Sequence, residues 1–222
     1  MKKSDLSEAV GVVQRMLTAL ESIIMDTAAA GMAAKVAIGQ TWTDAAYLIG
    51  NGTIGPGLDN CFDLVRQAGC TLGQMEMVRV QTAAENPKGL PATWVMDSGI
   101  QMALAHEGRI ISATIFTSRQ DVDALLAAIQ QPFTDAEERA ADTMDPMIYR
   151  ALVQLHAAVV NHLVQTARPL PMMLAYEFAD VQPSLVISQR LYGDASRYDE
   201  IRNENKIVHP AFCPPTGVAL SQ

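Results

Sequence analysis

Two short apolar patterns, punctuated by a glycine and closed by a proline, fill the stretch from Pro183 to Gln222 and constrain the fold more than any other segment. Pro183 suits an early helical position, where its missing N–H costs no hydrogen bond. Leu185, Val186, Ile187 and Leu191 supply an apolar face. Gly193 follows where a helix C-terminus favours a residue at ease in the left-handed region. Ser196 and Asp199 have capping-box spacing, with Asp in place of the longer Glu, and mark the start of a second helix. Tyr198 and Ile201 are three apart and can face one core. Asn205 and Pro210 end the run, and Gly217-Val218-Ala219-Leu220 reads as a closing strand. Upstream, Pro169 and Pro171 open a linker over 169–175, and Met173-Leu174-Ala175-Tyr176 reads as a strand leading into the module. The expectation for 176–222 is a small α+β module, strand–helix–helix–strand.

Residues 1–168 read as a helical, bundle-like assembly region of five or six helices. From about Asp5 to Ala34, Leu6, Val10, Val13, Leu17, Leu20 and Ile24 recur at spacings of 4, 3, 4, 3 and 4. That stripe suits either a bundle helix or a self-association seam, although it is shorter than the usual coiled coil. The glycine-rich run over 49–57 reads as a flexible hinge. Leu58 to about Ala84 reads as a helix or helix pair, and Pro91 opens another pattern through Ile111. Ser118-x-x-Asp121 and Thr134-x-x-Glu137 look like two helix starts, one helix running from about Gln120 to Gln131 and the other from about Asp135. Pro146 breaks or restarts the second of these. Ile148, Leu152, Leu155, Val159 and Leu163 form a helical face that ends near Arg168.

Composition points the same way. Aromatic residues make up only 5% of the chain while apolar residues reach 49%, a balance that favours helix packing over a β-sandwich. The net charge of −8 repels phosphate, so nucleic acid is not an expected partner. Cys61, Cys70 and Cys213 form no CxxC pair, and all three are expected to be buried apolar residues in a reducing setting. Lys2-Lys3 could open a leader, but Asp5, Glu8, Gln14 and Arg15 interrupt the apolar run, so no secretory signal is expected. No apolar stretch is long enough to predict a membrane span.

Motifs for chemistry fail on inspection. Gly50-x-Gly52-x-x-Gly55 has the form of a dinucleotide fingerprint, but it lacks the strand–helix setting that gives the fingerprint its meaning. His106-Glu107 starts like HExxH, yet position 110 is Ile. His156 and His162 are six apart and fall on different faces of one helix. The carboxylates are spread along helices, where neighbours diverge. The expectation is a non-enzyme with no cofactor and no metal. The frequent methionines, 12 in all, read as core filling or as an adaptable interface.

The terminal segment resembles the LysM module. That resemblance rests on the aliphatic first helix, Leu191-Tyr192-Gly193-Asp194, the Ile201 helix, Asn205, and Ile207 to Pro210. Over Arg119 to Pro214 the chain also resembles the C-terminal region of the Mu-like phage DNA circularisation (circulation) proteins. That likeness rests on Arg190-Leu191-Tyr192-Gly193-Asp194-Ala195, then Asn205, Ile207, His209-Pro210 and Phe212. The family's usual N-terminal domain has no counterpart here, which implies a truncated relative, a fragment or a separately encoded version. The resemblance implies a structural tail or baseplate protein of a contractile-tailed phage, assembled in the host cytoplasm and residing in the virion. Its expected partners are other tail proteins (tube, hub or tape measure) and further copies of itself, as a hexamer in preference to a trimer. A DNA-end-binding role and peptidoglycan binding are the alternatives. Leu191, Tyr192, Ile201 and Ile207 would hold the module, with Gly193, Asp194, Asn205 and Pro210 shaping its turns.

Overall fold

The computed structural model describes residues 2–221. The protein is mainly α-helical with a small α+β C-terminal part. Its helices are α1 (Lys3–Ser22), α2 (Ala29–Gly50), α3 (Ile54–Gln67), α4 (Leu72–Ala83), α5 (Leu90–Ala113), α6 (Arg119–Asp142), α7 (Pro146–Ala167), α8 (Ser184–Tyr192) and α9 (Tyr198–Glu204). Two strands, β1 (Met173–Glu177) and β2 (Thr216–Leu220), pair antiparallel with Ala175 opposite Val218.

The chain divides into two compact units: residues 1–114 with 129–159, and residues 115–128 with 160–222. This differs from the boundary expected at 169–175, because the second unit also holds the starting turns of α6 and the end of α7. The expected linker is partly structured. Met173 to Ala175 are in β1, and the Pro171 carbonyl accepts a hydrogen bond from Arg119 N at 3.0 Å.

In the first unit, α1 packs against α2, α4 and α5, and α3 against α2 and α5. Leu17 and Leu20 of α1, Leu58 and Phe62 of α3, Met75 of α4 and Leu104 of α5 are fully buried there. The single pattern expected over 5–34 is two helices. Asp26 ends it: its carboxylate accepts from Ala28 N and Gly31 N at 2.8 and 3.1 Å, satisfying donors at the start of α2. The glycine-rich run is a tight turn rather than a hinge. Gly52 takes φ +69°, Thr53 N donates to Leu48 O, and α3 begins at Ile54. Pro56 lies in the first turn of α3, where a missing N–H breaks no helical bond. The pair expected over 58–84 is present, divided at Gly69 with φ +85°. Its second member starts on a capping box: Thr71 Oγ1 accepts from Gln74 N, and Gln74 Oε1 accepts from Thr71 N.

α6 corrects a second boundary. Ser118 Oγ accepts from Asp121 N as expected, but no new helix starts at Thr134. Thr134 Oγ1 instead donates back to Gln130 O inside one continuous helix that contains Pro132. Pro146 opens α7 after Met144 turns the chain at φ 54°, and Asp145 caps the new helix by accepting from Met147 N and Ile148 N.

In the second unit, strand, two helices and strand follow in the expected order. Tyr176, Ile187, Ile201, Cys213 and Ala219 form the core, with Phe178, Leu191, Tyr192 and Ile207 packed against it. Two local expectations change. The buried side of α8 is Ser184, Ile187 and Ser188, whereas Leu185 and Val186 face outward. The second helix is preceded by one 3-10 turn, Ala195–Arg197, capped by Asp194 rather than Ser196: Asp194 Oδ1 accepts from Ser196 N at 2.8 Å. Tyr198 is half-buried and is not packed on the core.

Candidate functional site

The terminal module is built around Asn205. Its amide nitrogen donates to Ile201 O at 2.8 Å and to Val218 O at 2.7 Å, while its amide oxygen accepts from Val218 N at 2.8 Å. One side chain therefore closes the end of α9 and pairs with the β2 backbone as a further strand would. Gly217 permits this approach, because a Cβ there would overlap Asn205 and the Tyr176 phenol ring. Gly193 sits at φ +71° and ends α8, donating to Gln189 O at 3.0 Å. Ile201 is wholly buried, while Leu191, Tyr192 and Ile207 are half-buried against the same core. Pro210 O accepts from Ser184 N at 2.7 Å, which ties the segment after α9 to the start of α8.

That tie places two loops side by side. Gln182 and Cys213 pair as an isolated antiparallel bridge, so 181–185 and 208–213 are neighbours. Together they present Val181, Leu185, Val208 and Phe212 to solvent; Val208 is 98% exposed and Phe212 69%. The His209 and Phe212 rings lie 5.2 Å apart. Isolated exposed apolar residues are ordinary, but four on adjoining segments of so small a module, Leu185 in the first turn of α8 and the other three in loops, form an apolar surface.

The three arginines of the module are engaged locally. Arg197 is bonded to Glu200 by two nitrogens at 2.7–3.1 Å, and its guanidinium lies 3.8 Å over the Tyr192 ring. Arg202 pairs with Asp199 at 3.2 Å, and Arg190 lies over Phe178.

The α1 stripe suited a bundle helix or a self-association seam, and most of it lies in the first unit's core. Val13, Leu17, Leu20 and Ile24 are buried in the chain's own first unit, and Leu6 and Val10 are half-buried. The four buried residues pack against neighbouring helices of the same unit.

One polar cluster escaped the sequence analysis. His106 and Glu107 are both buried on α5. Glu107 accepts from Arg79 Nε at 2.8 Å, and His106 Nε2 lies 3.2 Å from Asp59 Oδ1 with Phe62 stacked on its ring. Burial pushes the Glu107 carboxyl up to about 7, with the Arg79 charge opposing. Burial holds His106 below the ordinary histidine range, with Asp59 opposing. The partners come from α3, α4 and α5, so no local spacing announced them. His156 stacks on Phe133 at 4.7 Å and bonds Glu137 at 2.9 Å, while His162 takes no part in that arrangement. Cys61 and Cys213 are buried and Cys70 is half-buried, none of them in a disulfide.

Among the described residues, no group of three or more His, Cys, Asp or Glu side chains is arranged to hold a metal ion. No helix among them is long and apolar enough to cross a membrane. Compared with known proteins, the chain matches no family model and no curated protein.

Proposed function

We propose that this protein is a non-enzymatic structural component of a contractile phage tail or baseplate, in which the strand–helix–helix–strand module docks onto a neighbouring tail protein. The observation that carries the reading is the apolar surface of the module, Val181, Leu185, Val208 and Phe212 on two neighbouring segments joined by backbone bonds. A protein partner covering that surface would remove apolar area from water, the main driving term of association. The same module has its arginines 197 and 202 engaged by Glu200 and Asp199, which favours docking over a DNA-end-binding role. The partner class is a hub, tube or tape-measure protein, with a hexameric ring preferred for the chain itself.

The test is the native mass of the full chain by light scattering after size exclusion, alone and co-expressed with hub, tube and tape-measure proteins of a contractile-tailed phage. The expected result is a ring-sized oligomer or a stable co-eluting complex that Val208→Ser with Phe212→Ser disrupts. Both positions are exposed, so the double variant should fold, and circular dichroism checks that it does. A monomer that associates with none of those proteins overturns the reading.

A further inference from the structure

We propose that a cleft in the first unit, between α5 and the turn joining α6 to α7, binds an organic cation carrying an alkylammonium or guanidinium group. The cleft has a volume of about 430 Å³, in the range of small-molecule sites, and combines an apolar wall of Leu90 and Ile148 with the half-exposed Trp94 indole. Three carboxylates, Asp97, Asp142 and Asp145, line it, and no lysine or arginine does. Arg139 offsets one of them, reaching Asp97 at 3.4 Å. Asp145 is occupied by capping α7.

Asp142, exposed at the rim of the cleft, and Ser98, inside it, have no partner among the described residues. Asp142 is the last residue of α6, so its carboxylate stands at the negative end of the helix dipole, and no described residue bonds or pairs with it. That position is locally unfavourable without a cation. Ser98 lines the same cleft and is only 8% exposed; its hydroxyl makes no hydrogen bond among the described residues and is open to the cleft. The Gln101 amide beside it is also unspent within the described chain. A cation against the Trp94 face gains from the ring quadrupole, and its N–H groups would meet the Asp142 carboxylate and the Ser98 and Gln101 oxygens. An anion would meet three carboxylates, and a neutral polyol would leave Asp142 uncompensated.

Isothermal titration calorimetry of the full chain tests this, with agmatine as a free amine, N-acetyl-lysine methylamide as a peptide-borne one, and N-acetylglucosamine as a neutral polyol. The expected result is saturable heat with at least one amine at about millimolar concentration or below, and none with the sugar. Tighter binding of agmatine marks a free amine as the ligand, and tighter binding of the blocked lysine marks a peptide side chain; either result supports the proposal. Asp142→Asn is expected to weaken binding about ten-fold or more while raising the melting temperature of the ligand-free chain, because it removes a charge from the wrong end of a helix. The rise in melting temperature separates lost binding from lost folding. Absence of saturable heat with both amines overturns the proposal, as does equal binding by Asp142→Asn or equal affinity for the sugar.

Discussion

Asn205 shows how much one residue can carry. Its three bonds join the end of α9 to the backbone of β2, and each buried bond of this type contributes about 1 kcal/mol. Asn205→Ala is therefore expected to destabilise the module by about 2–4 kcal/mol, since it also leaves Val218 N–H and C=O without partners. Chemical denaturation monitored through the module's tyrosines would measure it, and a loss below about 0.5 kcal/mol would mean that the bonds contribute nothing net. Glu107 makes a prediction of opposite character. Its folded pKa of about 7 lies above the ordinary 4.5, so between those values the folded chain holds a proton that the unfolded chain has released. Its contribution is fully present below about pH 4.5 and is lost as pH rises through about 7. His106, shifted down, acts in the other direction, so the comparison must be between variants. Glu107→Gln should remove that fall in stability with rising pH relative to the parent chain. Urea unfolding at a series of pH values reads the difference, and parallel profiles would refute the assignment.

At the scale of elements, local chemistry explains most starts and stops, and packing explains the exceptions. Thr71→Ala removes a capping box and should cost α4 about 1 kcal/mol by chemical denaturation. Pro132 lies inside the continuous α6, where proline removes the bond to the carbonyl four residues back, that of Ala128. The chain passes from the second unit to the first immediately after that residue, at Ile129. Pro132→Ala is expected to raise the stability of the folded chain, by up to about 3 kcal/mol, in the same assay. The helix survives its proline because Phe133, Ala136 and Ala140 are buried along it. That burial explains why a proline and a Thr-x-x-Glu signal, both good indicators of a boundary in isolation, misplace one here.

For the whole molecule, charge and exposed apolar surface decide what the chain can meet. With net charge −8 and the module's Arg197 and Arg202 ion-paired, the protein is expected not to retard linear duplex DNA even at about 50 mM salt. A salt-sensitive complex in a gel-shift series would instead favour the DNA-end reading. The exposed apolar residues of the module and the open cleft beside Trp94 belong to different units, so variants in one should leave the readout of the other unchanged.

The order strand–helix–helix–strand was legible in the sequence because its signals are local. Gly193 ends a helix through its own backbone freedom, and Ile187 and Ile201 reach the core, but Leu185, Val186 and Tyr198 do not, so the helices were legible before their buried faces were. Helical character over residues 1–168 was legible for the same reason. What only the tertiary structure decided depends on distances through space. Whether the stripe from Leu6 to Ile24 faces a second copy or the chain's own helices is a question of what packs against α1, and periodicity is identical in the two cases. The Arg79–Glu107 pair joins residues 28 apart in sequence, and the cleft gathers Trp94 and Asp142 from different helices. Spacing along a chain encodes which face of a helix a residue occupies; packing sets what that face meets, and with it the burial and the charge state.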